Sequence, residues 1–426
     1  MKVAVVGAGW AGMAAAVRLT ELGCAVTVFE ATKTLGGRAR LLAATLPDGS
    51  QVTLDNGQHI LIGAYSETLK LMQRVGIDVK KTLLRLPLAL QFPGGDGLKL
   101  PAWPAPFNAL AGIALARGWT WTDKASLIQS AVGWRLRSFD CDERASVTTV
   151  CAGLKPRVMQ ELIEPLCVAA LNTPADRASG RVFLRVLRDS LFGEFGSSDL
   201  LLPKTDLTTL FPQAAWNWIA QRGAVLKLGR RVDQLEAASA GWRVGGPQLE
   251  TQVFDRVILA TSASGALSLL EHTMQAAAWV WTTQALHFEA IATVYAWGEG
   301  VALAQPMLAL RSETASPSPA QFVFDRGQLG GPAGLLAFVV SASIGEREAL
   351  QAQVLAQARR QLGMDLQAVQ TVVEKRATFA CTPALARPPA PIAPGLLACG
   401  DYLQGPYPAT LEGAVRSGLA AACASP

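Results

Sequence analysis

The sequence has few of the residues that hold metals or build disulfides. Its 426 residues include three histidines and seven cysteines. The cysteines form no Cys-x-x-Cys pair, and the histidines lack metal-ligand spacing. An odd number of cysteines without close pairs argues against a disulfide framework. We therefore expect reduced thiols, a cytoplasmic location and no bound metal.

Long apolar runs and clusters of like charge are also missing. The first apolar run begins at Val3 and is too short and glycine-rich for a signal peptide, so none is expected. The nearest candidate for a spanning helix, Ala102 to Trp121, is interrupted by two prolines and by Arg117. The net charge of +5 is scattered along the chain, so nucleic acid is not an expected partner.

What the sequence does have is apolar content, 50% of its residues, enough for the cores of two domains. Patterns of buried strands occur near the start, in the middle and at the end of the chain, and a helix is predicted over 347–362. The sequence therefore predicts an α/β fold with a discontinuous Rossmann-type domain and an inserted α+β substrate domain. We assign 1–75, 201–270 and 390–426 to the first, and 76–200 and 271–389 to the second.

A glycine-rich loop follows the first predicted strand. The stretch "VAVVGAGWAGMAAA" places Gly7, Gly9 and Gly12 in a Gly-x-Gly-x-x-Gly pattern between a strand and a helix. This context is typical of dinucleotide binding, since the helix N-terminus offers free N–H groups to a pyrophosphate. Glu30 ends the second strand, where its carboxylate can accept hydrogen bonds from ribose hydroxyls and would repel the 2′-phosphate of NADP.

A second glycine element lies close behind the first. "TKTLGGRAR" supplies Gly36, Gly37 and the cation of Arg38. With the preceding motif, it resembles the superfamily of flavin-containing amine oxidases and carotenoid desaturases. The resemblance implies FAD held noncovalently in a GR2-like arrangement, and the C-terminal stretch "CGDYLQGPYPATLEGAVRSG" is similar to the flavin segment of that superfamily.

The resemblance assigns further cofactor contacts along the chain. "DNGQH" would be a turn facing the flavin, and the apolar run from Ile60 to Ile62 would begin the substrate cavity. Beyond the glycines, Glu30 and Arg38, it implies contacts from these residues: Trp10, Ala11, Asn56, Gly57, Gln58, His59, Val232, Gly400, Asp401, Thr410, Leu411 and Glu412.

Three members of the superfamily remain as alternatives. Amine oxidases carry an aromatic residue where this chain has Thr410, so half of their aromatic cage is missing. Carotenoid desaturases are similar at the C-terminal flavin segment. "LDNGQHILIGAYSETLKLM" is very similar to stretches of the bacterial hydroxysqualene dehydroxylases, also described as squalene-associated FAD-dependent desaturases. A protein that escorts an isoprenoid without chemistry is the non-enzyme alternative.

The dehydroxylase resemblance implies loss of an allylic hydroxyl from a long-chain isoprenoid, with reduced FAD as the electron source. His59 is the first candidate for the acid, with Tyr402 and Asp55 as weaker ones. A single nucleotide motif leaves the external electron donor unidentified. Because such a substrate resides in lipid, we expect peripheral contact with the cytoplasmic membrane face through 102–124, with Trp103, Phe107, Trp119, Trp121, Arg117 and Lys124 at the interface.

Overall fold

The computed structural model describes residues 1–313 and 316–424 of the chain. The strands are β1 (Lys2–Val6), β2 (Ala25–Glu30), β3 (Leu41–Thr45), β4 (Gln51–Asp55), β5 (Leu61–Ile62), β6 (Leu83–Leu86), β7 (Ala89–Gln91), β8 (Gly97–Lys99), β9 (Leu200–Pro203), β10 (Val225–Leu228), β11 (Gln234–Ala238), β12 (Gly241–Gly246), β13 (Leu249–Phe254), β14 (Arg256–Leu259), β15 (Phe288–Trp297), β16 (Met307–Ala309), β17 (Phe322–Asp325), β18 (Leu335–Ser341), β19 (Gln367–Phe379), β20 (Pro391–Ala393) and β21 (Leu396–Ala398).

The helices are α1 (Trp10–Glu21), α2 (Ser66–Arg74), α3 (Val79–Thr82), α4 (Phe107–Leu115), α5 (Trp121–Leu136), α6 (Val147–Val150), α7 (Pro156–Val158), α8 (Glu164–Leu171), α9 (Gly180–Leu191), α10 (Leu207–Leu210), α11 (Pro212–Ala220), α12 (Ala263–Leu270), α13 (Ala277–Gln284), α14 (Arg347–Leu362) and α15 (Leu411–Cys423). A π-helical turn, Met159–Ile163, joins α7 to α8. No helix in the described ranges is both long and apolar enough to cross a bilayer.

A six-stranded sheet carries the nucleotide motifs, with the strand order β10-β2-β1-β14-β21-β20. The first five strands are parallel, and the short β20 closes one edge as an antiparallel strand. The sheet draws strands from the beginning, the middle and the end of the chain. The α/β fold with a discontinuous Rossmann-type sheet, predicted from the sequence, is therefore confirmed.

Both faces of this sheet are buried, as parallel sheets require. Val3 and Val5 point to one face and pack in a core with residues of α1, α11 and α15. Ala4 and Val6 point to the other face and share a core with the three-stranded meander β11-β12-β13. Helices α1 and α15 approach so closely that a Cβ on Gly418 would lie 2.1 Å from the carbonyl oxygen of Ala11.

The inserted part contains a five-stranded antiparallel sheet, ordered β16-β17-β18-β15-β19, and the helices α4 to α9. One face of the sheet packs on α14, where Val294 and Phe338 contact a core that includes Leu350 and Val354. The opposite face presents side chains such as Phe324 to the large cavity described below. The sheet therefore forms a wall of that cavity, between the nucleotide motifs and the solvent-facing helix.

Candidate active site

The loop after β1 is shaped for glycine at two positions. Gly7 has a φ of +113°, and a Cβ there would lie 2.5 Å from the carbonyl oxygen of Ala260. A Cβ on Gly12 would lie 2.0 Å from the carbonyl oxygen of Gly7. Larger side chains at either position would therefore displace backbone. With these glycines, the N-terminus of α1 at Trp10 stays open toward the cavity as a site for an anion.

The carboxylate of Glu30 lies at the end of β2, almost completely buried. Its Oε2 accepts a hydrogen bond of 2.9 Å from the backbone N–H of Ala8. Its Oε1 accepts from the backbone N–H of Thr32 at 2.8 Å and from the Thr32 hydroxyl at 2.9 Å. The carboxylate is thus held rigidly next to the glycine loop, on the wall of the cavity, where the sequence predicts a ribose contact.

Two predicted cofactor residues from opposite ends of the chain meet as an ion pair. A terminal nitrogen of Arg38 lies 2.5 Å from Oδ1 of Asp401, and this pairing raises the pKa of Arg38. The Arg38 guanidinium also donates to the backbone carbonyl of Ala377 at the end of β19. Both members of the pair line the cavity. The pair thus joins the nucleotide sheet to the sheet of the inserted part.

The polar turn after β4 divides into side chains that face the cavity and one that does not. Asn56, Gln58 and His59 line the cavity around Gly57, whose φ of +111° favours glycine. Asp55 is not among the lining residues: its Oδ1 accepts from the backbone N–H of Leu207 at 2.8 Å. Burial raises the pKa of Asp55 to about 6. The geometry makes Asp55 an anchor for the turn, and its predicted catalytic role has no support from its orientation.

A large cavity of about 570 Å³ brings these motifs together. It extends from Glu30 and Val232, past the glycine loops, to Gly400 and the N-terminus of α15. Most of the predicted cofactor residues line it: Gly7, Gly9, Trp10, Ala11, Glu30, Gly36, Gly37, Arg38, Asn56, Gly57, Gln58, His59, Val232, Gly400, Asp401, Thr410 and Leu411. An extended dinucleotide with a central pyrophosphate fits this lining, since bare backbone lies in the middle and helix N-termini lie at two points.

Three predicted residues lie outside the lining, apart from Asp55. Gly12 packs closely against the backbone of Gly7 and so supports the shape of the glycine loop. The Glu412 carboxylate accepts hydrogen bonds from Thr68 and lies against α2. Tyr402 is buried, its hydroxyl has no hydrogen-bond partner, and burial raises its pKa. Because its ring packs edge-on against Trp279, the predicted catalytic role of Tyr402 also lacks support from geometry.

A smaller cavity of about 160 Å³ adjoins the large one. Its wall is mostly aliphatic and aromatic and includes Ile60 and Ile62, where the sequence predicts the start of a substrate cavity. Five residues line both cavities and so mark their junction: Ile60, Tyr65, Ala169, Ala170 and Thr410. A molecule in the small cavity would therefore approach the large cavity between α2, α8 and the N-terminus of α15.

Polar side-chain atoms at this junction come from Tyr65 and Thr410. Burial, reinforced by the nearby Glu412 carboxylate, raises the pKa of Tyr65, so its hydroxyl keeps its proton. Thr410 caps α15 by accepting from the backbone N–H of Gly413 at 3.0 Å. Tyr407 and Asp189, joined by a 3.1 Å hydrogen bond, lie farther along the small cavity. The junction thus offers the protonated phenol of Tyr65 in a passage whose wall is mostly apolar.

The chain is similar to flavoenzymes over its whole length. The sequence profile of the family described as "Flavin containing amine oxidoreductase" matches residues 10–424. The chain belongs to this family. Its FAD cofactor and its class, an FAD-dependent oxidoreductase, agree with the predictions from the glycine loops and the C-terminal segment. The cavity residues fit FAD: Glu30 and Val232 line the part where the resemblance predicts adenosine, and Thr410 and Leu411 line the part where it predicts the flavin.

Two relatives of the same name align with nearly the entire chain, and a third relative aligns with a small part of it. Hydroxysqualene dehydroxylase of Sinorhizobium fredii is 24% identical over 99% of this chain and 97% of its own length. The enzyme of the same name from Rhodopseudomonas palustris is 28% identical over the same shares. A zeta-carotene desaturase of Synechocystis sp. is 40% identical, but over 18% of this chain and 15% of its own length.

A solved structure shows the same fold at low sequence identity. An oxidoreductase from Methanosarcina mazei superimposes with a TM-score of 0.73 and is 17% identical, covering 99% of both chains. Within this fold, sequence reasoning missed Tyr65 and the cavity-facing Phe322 and Phe324. The two phenylalanines alternate along β17, which is a strand signal, but the face that meets the cofactor depends on the packing of α14 on the other side.

Proposed function

We propose that the protein removes the hydroxyl group of hydroxysqualene reductively: hydroxysqualene and reduced FAD give squalene, water and oxidised FAD. The observation that carries this proposal is the similarity to hydroxysqualene dehydroxylases over at least 98% of the chain. In the reaction a C–O bond breaks, a C–H bond forms, and the flavin supplies two electrons. The oxygen leaves as water after gaining a proton.

The small cavity supports an isoprenoid substrate. Its wall is largely aliphatic, with Leu166, Val186 and Leu200 among the lining residues, so it would exclude water from a hydrocarbon chain. Loss of an allylic hydroxyl generates positive charge on carbon, and exclusion of water prevents a water molecule from adding to that carbon. Bound FAD in its reduced form would supply the hydride. The junction between the cavities is where the reacting carbon would then lie.

We assign the proton donation to Tyr65 in preference to His59. The Nδ1 atom of His59 lies 2.8 Å from the carbonyl oxygen of Gly57, which can only accept, so Nδ1 carries the proton. Burial lowers the pKa of His59, which keeps the imidazole neutral at pH 7 and leaves Nε2 without a proton. Tyr65 has its proton and lies at the junction, where its hydroxyl would donate to the leaving oxygen; the phenolate would regain a proton from solvent after the product leaves.

Two other flavoenzyme activities compete with this proposal. Desaturation of carotenoid precursors would use the same cofactor and a similar apolar passage, but the zeta-carotene desaturase matches cover 18% to 55% of the chain, against at least 98% for the hydroxysqualene dehydroxylases. Amine oxidation needs a pocket for an amine, and Thr410 occupies the position where the amine oxidases have one aromatic wall. Both alternatives reduce the flavin, whereas the proposed reaction oxidises it, so an experiment can separate them.

Anaerobic mixing of the holoenzyme with each substrate class tests the proposal. Photoreduced enzyme should be reoxidised by hydroxysqualene, with squalene as the product. Oxidised enzyme should remain oxidised with phytoene-type polyenes and with amines. Reduction of the flavin by a polyene would instead support the desaturase, and reduction by an amine would support the amine oxidase.

We also propose that the protein works at the cytoplasmic face of a membrane as a peripheral protein. Its substrate would be a C30 alcohol, which partitions into lipid, so the enzyme would collect it from a bilayer and release an even more apolar product there. An external donor must reduce the flavin between turnovers. Fractionation of cells that express the protein, with and without a high-salt wash of the membranes, tests this location.

A further inference from the structure

Exposed apolar side chains concentrate on two consecutive helices of the inserted part. Eight of the seventeen exposed large hydrophobic residues in the described ranges lie between positions 103 and 136. They form what we term the α4–α5 face: Trp103, Phe107, Leu110, Leu115, Trp121, Ile128, Val132 and Leu136. A concentration of this kind on a water-soluble surface is unfavourable unless another molecule covers it.

The helix α5 is apolar on two sides. Leu127 and Trp134 point into the core, as expected for a helix that packs on its own protein. Trp121, Ile128, Val132 and Leu136 recur at helical spacing along the outer side and are exposed. With 16 residues at about 1.5 Å each, this stripe extends for about 24 Å. Within residues 1–313 and 316–424, the outward stripe is exposed and is therefore available to a partner.

The structure corrects one residue of the membrane segment predicted from sequence. Trp119 is only 7% exposed, and its indole N–H donates to Oε2 of Glu161 at 2.9 Å. Trp121, two positions later and beyond the helix cap at Thr120, is 79% exposed. Trp119 therefore belongs to the protein interior, and the exposed face continues along α5 to Leu136, past the predicted end of the segment at 124.

Basic side chains outnumber acidic ones along this face as far as Arg137, and three exposed carboxylates, Asp140, Asp142 and Glu143, follow the C-terminal end of α5. Residues 99–137 contain five basic side chains, namely Lys99, Arg117, Lys124, Arg135 and Arg137, and a single acidic one. That acid, Asp123, is buried and accepts from the backbone N–H and the hydroxyl of Thr120 in a capping box. Two nearby carboxylates outside this range, Asp96 and Glu161, pair with Arg311. Apolar residues flanked by cations complement an anionic membrane surface.

The two helices are fixed relative to each other. The Nζ atom of Lys124 donates to the carbonyl oxygen of Ala114 at 2.7 Å, near the end of α4. The same ammonium group lies 5.1 Å from the centre of the Trp121 ring. Because these contacts connect α4 to the first turn of α5, Phe107, Leu115 and Trp121 would enter a bilayer as parts of one preformed surface.

From these observations we infer that the α4–α5 face docks on a lipid bilayer with anionic headgroups. Its aromatic and aliphatic side chains would enter the boundary of the acyl chains, and its basic side chains would meet the headgroups. The inference extends the proposed membrane location by naming the contact surface. It does not depend on the reaction, since docking requires neither substrate nor electron donor.

Flotation of the holoenzyme with lipid vesicles tests the inference. The native protein should float with vesicles of phosphatidylcholine and phosphatidylglycerol at low salt, and less with phosphatidylcholine alone or at high salt. Phe107→Ser combined with Trp121→Ser should lower the vesicle partition coefficient by at least about tenfold, because two large apolar side chains are lost. Arg117→Gln combined with Arg135→Gln should weaken binding to anionic vesicles only.

A matched control removes equally exposed apolar side chains from another part of the surface. Met274 and Trp281 are 92% and 74% exposed and lie outside the α4–α5 face. Met274→Ser combined with Trp281→Ser should float as the native protein does. The ratio of flavin to protein absorbance should remain native in all variants, which shows that each is folded and carries FAD.

Two results would overturn the inference. One is native holoenzyme that stays at the bottom of the gradient with anionic vesicles at low salt. The other is a Phe107/Trp121 variant that floats as well as the native protein. Light scattering of the same samples identifies the competing occupant: a native dimer that becomes monomeric only in the Phe107/Trp121 variant, without flotation of either, would make this face an interface between two copies of the chain.

Discussion

Replacing Glu30 with alanine should weaken FAD binding strongly, and the structure sets the size of the effect. The Oε2 atom of Glu30 accepts one hydrogen bond, from the N–H of Ala8, so one of its lone-pair positions stays open to a ribose hydroxyl. The Oε1 atom accepts from the N–H of Thr32 and from the Thr32 hydroxyl. A second position opens if that hydroxyl turns to the carbonyl oxygen of Thr34, 2.8 Å away.

Replacing Glu30 with alanine therefore removes one or two charge-assisted hydrogen bonds to the ribose. Each contributes about 1.5–3 kcal/mol, so their loss corresponds to about 1.5–6 kcal/mol of binding free energy. The dissociation constant of FAD for Glu30→Ala should rise between about tenfold and about 10⁴-fold. Glu30→Gln keeps the shape of the side chain and loses its charge, so its dissociation constant should fall between those of the native protein and the alanine variant.

Titration of the apoprotein with FAD, followed by flavin fluorescence, measures these constants. Thr32→Val is the matched control, because it removes one hydrogen bond to Glu30 and leaves the carboxylate in place; its affinity should stay within about threefold of native. Thermal melting of each apoprotein separates loss of binding from loss of folding. A Glu30→Ala protein that is folded and binds FAD within about threefold of native would refute the ribose assignment.

Four further changes test other parts of the account. Gly12→Ala should prevent FAD binding, since its Cβ would lie 2.0 Å from the carbonyl oxygen of Gly7; a variant that retains native flavin content contradicts the loop geometry. Tyr65→Phe should lower the rate of flavin reoxidation by hydroxysqualene about 10²-fold with substrate affinity nearly unchanged, and a native rate would remove Tyr65 as the donor. Burial raises the pKa of Asp55 to about 6, above its unfolded value of about 3.8, so the folded form holds the proton more tightly. The free energy of unfolding, measured with urea at pH 5 and pH 7.5, should therefore fall by about 1 kcal/mol more for the native protein than for Asp55→Asn as the pH rises. An equal change for the two proteins would contradict the buried environment of Asp55. Acid precipitation should release the yellow colour into the supernatant, as Cys399 is buried directly after β21; colour retained in the pellet means covalent FAD.

Local sequence signals predicted the parts of the fold that depend on neighbours in the chain. The helix predicted over 347–362 coincides with α14 (Arg347–Leu362), which ends at Gly363 in a left-handed conformation. The glycine loop was predicted together with its flanking strand and helix, because tight turns at a strand end leave a specific glycine pattern. The proline-rich stretch 387–394 contains the edge strand β20, where proline is tolerated because one side of the strand needs no hydrogen bonds.

Contacts between distant parts of the chain were the ones that the sequence could not predict. The sequence places Asp55 in a polar turn, but its carboxylate accepts a hydrogen bond from the backbone N–H of Leu207, 152 positions away. Trp119 and Trp121 are equivalent by composition, and only the position of Glu161 on a neighbouring element distinguishes the buried ring from the exposed one. Tyr65 lies within the stretch "LDNGQHILIGAYSETLKLM", but its place at the junction depends on how α2 packs against α15.

A single turnover of the reduced enzyme tests the central proposal most directly. Photoreduced holoenzyme, free of external donors and oxygen, is mixed with hydroxysqualene, and flavin absorbance and extracted isoprenoids are measured in the same samples. The account predicts that the flavin is reoxidised and that squalene forms in equal amount to the flavin oxidised. Flavin that stays reduced while hydroxysqualene is recovered unchanged would contradict it.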